Sequence, residues 1–172
     1  MDSFVLTVLG DDRPGLVDAL SGVLTDHGAN WERSQMARLG GKFAGIVQIT
    51  VARTATAALT EALAALDGDG LLHVRIDPAG NEPAAPAGAR FVLSMIGTDR
   101  PGLVHSVAAA LAEVGASIEE LDTATYDAPM AGGQMFECTA AVVLPPGVTI
   151  DAVRDQLEAL ADRLMVDIDL TD

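Results

Sequence analysis

One short motif occurs twice in the chain and brings together an aspartate, an arginine, a proline and two glycines. The motif is G-x-D-R-P-G-L-V, at Gly10–Val17 and Gly97–Val104. We expect its first glycine to permit a tight exit from a strand and its aspartate, Asp12 or Asp99, to cap a helix. We expect the proline to lie in the first helical turn, where its missing N–H has no consequence, and the second glycine to leave room for backbone or a small ligand.

The chemistry that suits such a turn is the binding of a small anion. Free N–H groups at a helix N-terminus favour an anion such as a carboxylate. Arg13 and Arg100 either bind a carboxylate directly or face solvent. An ordinary strand-to-helix turn without a ligand explains the motif about as well. A phosphate loop is excluded, because no Gly-Lys-Ser/Thr follows and the dinucleotide pattern G-x-G-x-x-G is missing.

The two motifs lie within a longer internal repeat. Residues 4–32 align without a gap on residues 91–119, with 14 identities in 29 positions. The offset of 87 grows to 93 where Phe43 matches Phe136, so the second copy has six additional residues, which we place after Tyr126, within Asp127–Gly133. A repeat of this length predicts two similar folded units.

The stretch between the copies, PAGNEPAAPAGA, has three prolines, two glycines and five alanines and no apolar periodicity. Such a composition is typical of a linker. The sequence therefore predicts one domain at residues 1–77, a linker at residues 78–90 and a second domain at residues 91–172.

Each copy has the pattern strand, helix, strand, strand, helix, strand. The predicted strands are Phe4–Leu9, Asn30–Arg38, Phe43–Val51 and Leu71–Ile76, then Phe91–Ile96, Ser117–Tyr126, Gln134–Leu144 and Met165–Leu170. The first helix of each copy follows the motif and ends before Gly28 or Gly115, and leucines at helical spacing mark the second. This order predicts an α+β protein of two ferredoxin-like βαββαβ units, each an antiparallel four-stranded sheet with both helices on one face.

Composition and charge restrict the classes of function. The formal net charge of the 172 residues is −15, which argues against binding to nucleic acid or to an anionic membrane surface. No apolar run is long enough for a membrane span, the N-terminus does not read as a signal peptide, and we expect a cytoplasmic protein. No pattern of catalytic residues or metal ligands stands out, so we expect a non-enzyme without metal or cofactor.

Two βαββαβ units that each contain the G-x-D-R-P-G-L-V turn resemble tandem ACT domains, small modules that sense amino acids. Three stretches, MARLGGKFAGIV at residues 36–47, DAPMAGGQMFECTAAVVLP at 127–145 and VRDQLEALADRLMVDIDL at 153–170, are similar to the glycine cleavage system transcriptional repressor group, which consists of two ACT domains. Formyltetrahydrofolate deformylases begin with a similar ACT domain and continue into a catalytic domain, for which we expect no room in this chain.

The resemblance implies a small amino acid, with glycine and serine as first candidates, bound between paired ACT domains. In that family the ligand lies against the strand-to-helix turn of one domain and the start of the second strand of its neighbour. The implied site residues are Gly10, Asp11, Asp12, Arg13, Pro14, Gly15, Leu16 and Asn30 in the first copy, and Gly97, Thr98, Asp99, Arg100, Pro101, Gly102, Leu103 and Ser117 in the second.

The two implied sites differ in chemistry. Asn30 can bond both the amino and the carboxylate group of an amino acid, whereas its counterpart Ser117 has fewer hydrogen-bonding atoms. Asp11 offers a partner for an ammonium group, and Thr98 replaces it in the second copy. We therefore expect the turn of the first copy to carry the better site.

The resulting hypothesis is a non-enzymatic regulator whose two ACT units pair side by side through their strands. The resemblance implies that it acts through a protein partner, such as a DNA-binding transcriptional activator, without contacting DNA itself. Two alternatives stay open: a ligand-free module for interaction or dimerisation, and an accessory regulatory subunit of a metabolic enzyme. A homodimer is compatible with all of these.

Overall fold

The computed structural model describes residues 1–80, 88–128 and 132–171. Part of the predicted linker and part of the predicted insertion, residues 81–87 and 129–131, lie outside the described residues. The chain divides into two compact units, residues 1–82 and residues 83–172, which we name unit 1 and unit 2.

Unit 1 has the predicted order of elements. They are β1 (Asp2–Asp11), α1 (Leu16–Asp26), β2 (Asn30–Leu39), β3 (Lys42–Val51), α2 (Thr56–Gly68) and β4 (His73–Pro78), with one short 3-10 turn, Arg53–Ala55, before α2. The sheet has the strand order β2-β3-β1-β4, and each neighbouring pair is antiparallel. β1 is therefore a central strand and β2 an edge strand.

Unit 2 repeats this arrangement. Its elements are β5 (Arg90–Thr98), α3 (Leu103–Glu113), β6 (Ser117–Asp127), β7 (Gln134–Val143), α4 (Ile150–Leu164) and β8 (Val166–Thr171). The strand order is β6-β7-β5-β8, again antiparallel throughout. The prediction of two ferredoxin-like βαββαβ units with antiparallel sheets is confirmed.

Each unit has its own apolar core between its sheet and its two helices. In unit 1 the core includes Leu6 and Val8 from β1 and Leu20 from α1, all fully buried. The corresponding core of unit 2 includes Leu93 and Leu111. Cys138 lies in this second core, and burial raises the pKa of its thiol. Among the described residues no helix has the length and apolar character needed to cross a membrane.

The side of each sheet that faces away from its helices is exposed, and we name it the open face. Alternation along a strand sends every second side chain there. On β1 and β3 it includes the exposed Leu9 and Ile46, and on β5 it includes Val92 and Ile96. The open face therefore includes apolar side chains that are exposed to solvent.

The two glycines of the repeated motif have the opposite functions to those predicted. The first, Gly10 or Gly97, lies inside a central strand, where a Cβ would come within 2.8 Å of the Leu71 carbonyl oxygen in unit 1 and within 3.0 Å of Cβ of Val166 in unit 2. The second, Gly15 or Gly102, has open space around it but adopts φ of 91° or 95°. The first position requires glycine because a side chain there would clash with the adjacent part of the chain. The second requires glycine because its backbone is left-handed.

Both edge strands β2 and β6 carry a bulge at the same place. The register shifts between Trp31 and Arg33 in unit 1 and between Ile118 and Glu120 in unit 2. The additional residue is Glu32 or Glu119, a pair that is identical in the repeat. A bulge re-aims the side chain of the additional residue, which makes this glutamate a functional candidate.

Packing against Gly97 gives a test of this fold. We expect Gly97→Ala to lower the free energy of unfolding of unit 2 by about 1–3 kcal/mol, because the new methyl overlaps Val166 in the paired strand. Gly22→Ala, in the exposed middle of α1 with no atom near its Cβ position, is the matched control and should raise stability by up to about 1 kcal/mol. Urea unfolding of both variants measures the difference, and equal stabilities would contradict the packing argument.

Candidate functional site

Ion pairs hold the turn between β1 and α1 against the neighbouring hairpin. Asp11 pairs with Lys42, directly opposite it on β3. Asp12 pairs with Arg38 at 3.3 Å, and the backbone N–H of Asp12 donates to the carbonyl of Gly41 at 3.0 Å. The pKa of Asp11 is lowered, mainly by its hydrogen bond and charge interaction with Lys42. Asp11 is therefore already balanced by a cation and is a weaker ammonium partner than its sequence suggests.

The arginines of the two turns bind the protein itself. Arg13 donates from its guanidinium to the carbonyl oxygen of Gly70 at 2.7 Å, just beyond the end of α2. Arg100 donates in the same way to the carbonyl oxygen of Leu164, the last residue of α4. A cation at a helix C-terminus is favourable because the terminal carbonyls have no partners within the helix. Both guanidinium groups therefore already have a partner within their own unit, and Arg13 is exposed to solvent as well. Carboxylate binding by either arginine stays a prediction.

The helices after both turns begin without a side-chain cap. α1 begins at Leu16 behind Gly15, and α3 begins at Leu103 behind Gly102; no side chain accepts a hydrogen bond from the first turn of either helix. The predicted capping by Asp12 and Asp99 is wrong, because the left-handed glycine places three residues between the aspartate and the helix. The predicted position of Pro14 and Pro101 inside the first turn is wrong for the same reason, since the helix begins two residues later.

The first residues of β2 form a polar cluster on the edge of unit 1. Asn30 donates from Nδ2 to Oε1 of Glu32 at 2.8 Å, and Thr50 donates from its hydroxyl to the same oxygen at 2.7 Å. These two hydrogen bonds, that from Thr50 being the stronger influence, lower the pKa of Glu32. The carboxylate is exposed and carries no ion pair among the described residues, so this cluster presents a negative charge beside a neutral amide.

The turn and Asn30 lie at opposite ends of the same sheet. Asp11 is opposite Lys42 at one end of β3, whereas Asn30 is opposite Thr50 at the other, next to Ser3 of β1. Eight residues of strand separate Ser3 from Asp11, or about 27 Å. A small amino acid cannot reach both, so unit 1 alone does not bring its own implied site residues together.

Unit 2 has the same geometry with different charges. Ser117 begins β6, and Glu119, at the bulge, pairs with Arg90 through two hydrogen bonds of 2.7 and 3.4 Å. Thr98 occupies the place of Asp11, and Met135 lies opposite it where unit 1 has Lys42. The start of β6 is thus balanced by an arginine, whereas the start of β2 is not.

Sequence reasoning missed Glu32, Thr50 and Lys42 as parts of the site. Glu32 had a signal, since it is identical to Glu119 at the end of the repeated block. Thr50 and Lys42 had none, because only the strand register shows which residues they oppose. Among the described residues no three metal-binding side chains cluster. The arrangement suits binding: backbone N–H groups for a carboxylate at each turn, and an amide and a carboxylate for an ammonium group at the start of β2.

The family model for the ACT domain matches residues 2–76 and 89–171. A crystal structure of an unknown protein from Galdieria sulphuraria is 34% identical, with a TM-score of 0.81 over 99% of this chain and 97% of that one. A candidate glycine cleavage system transcriptional repressor is 18% identical, with a TM-score of 0.73 over 99% of this chain and 96% of that one, which shows a shared fold. A search of curated proteins found no significant match.

The cluster at the start of β2 gives a prediction about protonation. We expect the Glu32 carboxyl to titrate below the ordinary range for glutamate, and Thr50→Val to raise its pKa toward that range. Asn30→Ala should raise the pKa by a smaller amount, because the bond from Thr50 has the larger influence. NMR titration of the side-chain carboxyl carbon measures all three proteins. A Glu32 pKa that Thr50→Val leaves in place would show that the hydrogen bond does not form.

Proposed function

The chain belongs to the ACT domain family in both of its units, and we propose that it is a non-enzymatic regulatory protein that responds to a small amino acid. The observation that carries this proposal is the uncapped N-terminus of α1 and of α3, each behind a left-handed glycine. Such a terminus leaves backbone N–H groups directed at a ligand, and the helix dipole favours its negative end. The carboxylate of the amino acid would bind there.

The ammonium group of the ligand would bind at the start of β2. Asn30 is already held by Glu32, which leaves the amide oxygen of Asn30 as an acceptor, and Glu32 supplies an unbalanced negative charge nearby. At the start of β6 the same charge is balanced by Arg90. These differences support Asn30, and not Asp11, as the feature that makes one site better than the other.

The separation of the turn from Asn30 supports a ligand site shared by two units. If β2 and β6 pair along their edges within the chain, antiparallel pairing would bring the start of one strand near the opposite end of the other unit. One site would then combine the Gly97–Leu103 turn with Asn30, and the other would combine the Gly10–Leu16 turn with Ser117. The amino acid would stabilise that pairing, because it would bind the paired form more tightly than separated units.

Regulation would be passed to a protein partner. The net charge of −15 is unfavourable for direct binding to DNA. The fold is shared with a candidate glycine cleavage system transcriptional repressor, which supports a role in transcriptional control. A DNA-binding activator is the partner that the sequence resemblance implies. Glycine and serine are the first ligands to test under this proposal.

A second candidate function is a ligand-free interaction or dimerisation module. It is supported by the edge strands β2 and β6, whose outer backbone groups are not used by their own sheets and can pair with another strand. An accessory subunit of a metabolic enzyme would use the same edges. Binding of an amino acid would distinguish the proposed sensor from the ligand-free module and from the accessory subunit.

Amino-acid binding predicts a saturable rise in thermal stability. Glycine or serine at 100 times its dissociation constant should stabilise the folded chain by about 2.7 kcal/mol, because it binds only the folded state. A thermal-shift series with glycine, serine, and their N-acetyl derivatives as matched controls makes the measurement; the acetyl forms keep the carboxylate and lose the ammonium group. No shift with any free amino acid would favour the ligand-free module.

The shared site predicts which substitutions act together. Asn30→Ala and Gly102→Ala should each weaken the same site, so the double variant should keep one ligand site with the affinity of the unmodified chain. Asn30→Ala with Gly15→Ala should affect both sites and lower the number of ligands bound per chain. Titration calorimetry measures affinity and stoichiometry. If the variant with Gly102→Ala lost both sites and the variant with Gly15→Ala lost only one, Asn30 would be assigned to the turn of unit 1.

A further inference from the structure

The open face of unit 2 concentrates negative charge in a small area. Asp167 on β8 and Glu137 on β7 lie on either side of Ile96 in the central strand. One row further along, Asp169 lies beside Ser94, and Asp122 of β6 lies beside Thr139. Neighbouring rows are about 7 Å apart and alternate strands about 10 Å apart, so these carboxylates surround Ile96 and Ser94. We name Asp122, Glu137, Asp167 and Asp169 the acidic face.

The acidic face is not balanced by cations of its own unit. None of its four carboxylates forms an ion pair or a side-chain hydrogen bond within residues 88–128 and 132–171 of unit 2. The one arginine on the open side of β5 is Arg90, at the far end of the strand, where it pairs with Glu119. Four like charges on neighbouring strands repel one another, and their repulsion would be relieved by a positively charged partner.

The fold does not require these carboxylates, as unit 1 shows. The strand registers match Asp122, Glu137, Asp167 and Asp169 to Gln35, Ala44, His73 and Arg75. No acidic residue stands at any of the four positions in unit 1, and one of them is an arginine. The two units share strand order, register and bulge, so the charge difference is a property of the surface and not of the architecture.

A cavity next to the acidic face adds some apolar side chains to a lining that is more polar than apolar. Its volume is about 460 Å³, and it lies beside the Gly97–Thr98 end of β5. Ile96 and Asp167 belong both to this cavity and to the open face; Met135, Met165 and Val166 supply apolar walls, and Asp162 a second carboxylate. Met165 is 79% exposed at its edge. All of the charged groups that line the cavity are acidic.

We propose that the acidic face and its cavity dock a positively charged surface of a protein partner, with one lysine or arginine side chain in the cavity. The methylene groups of such a side chain would pack on Met135 and Met165, and its cation would reach Asp162 and Asp167. The free carboxylate of an amino acid would be repelled there, so the cavity suits a basic side chain of a protein better than a second amino-acid ligand. This inference rests on the proposed function only in taking a protein partner as the route of regulation.

The docking surface can be tested with a defined probe on the full chain. The probe is an amphipathic 14-residue peptide of lysine and leucine, and the control peptide has glutamate in place of lysine. NMR with the labelled protein should show saturable shifts in β5, β7 and β8 with the lysine peptide and none with the glutamate peptide. Shifts spread evenly over both units would overturn the proposal, because they indicate general attraction to an acidic protein.

Substitutions distinguish binding at the acidic face from a general effect of the net charge. Asp167→Asn with Asp169→Asn should weaken peptide binding by about tenfold, since two close charge contacts are lost. Asp155→Asn with Glu158→Gln removes the same charge from the exposed side of α4 and should change the affinity by less than about twofold. Met165→Asn keeps a residue that tolerates the left-handed backbone at φ of 50° and should weaken binding through the lost apolar wall.

Equal losses in the two charge-matched double variants would overturn the proposal. The amino-acid response is measured separately in the same proteins by thermal shift with glycine and serine. A chain that responds to an amino acid but not to the lysine peptide would refute the docking surface alone. A chain that binds the lysine peptide but does not respond to an amino acid would refute the proposed amino-acid sensor and support the docking surface.

Discussion

The arginine of each strand-to-helix turn ties the end of the central strand to the backbone at the end of the second helix, and the position of the turn depends on this contact. Arg13 reaches the carbonyl of Gly70, and Arg100 reaches that of Leu164. Because the arginine satisfies a helix end, the turn is fixed without a cap on the following helix. The same turn packs its first glycine closely against the returning chain and holds its second in a left-handed conformation. The turn is thus held by contacts with its own unit, and the helix after it begins without a side-chain cap.

Much of the fold could be predicted from the sequence, because the repeat doubles every local signal. The helical spacing of Leu16, Leu20 and Leu24 and the alternation of Val47, Ile49 and Val51 are visible in the sequence, and all six side chains are buried in the core of unit 1. Strand ends were less accurate: β1 runs from Asp2 to Asp11, beyond the predicted Phe4–Leu9, because pairing with β3 continues past the apolar run. The bulges at Glu32 and Glu119 have no local sequence signal that distinguishes them from regular strand.

The candidate site was predictable only in part. The turns are where the motif indicates, but the functions of Asp12, Arg13 and both glycines depend on contacts with residues far along the chain, such as Gly41 and Gly70. Local sequence does not contain those contacts. The opposite placement of Asn30 and its turn follows from the strand directions, because β1 and β2 both run antiparallel to β3. A single unit therefore cannot bring together all of the residues that the resemblance implies.

The open faces of the two units differ in charge, with His73 and Arg75 in unit 1 at the positions of Asp167 and Asp169 in unit 2. This difference affects how many partner molecules one chain can bind. A tandem repeat with two equal surfaces would be pseudo-symmetric and would offer a partner two equivalent places to bind. Here the strand registers are conserved between the copies while the exposed charges have diverged. Under the two proposals, a ligand site would draw on residues of both copies, whereas a partner that recognises the acidic surface would find it on one copy only. The difference in charge between the two open faces would thus favour complexes with one partner molecule for each chain.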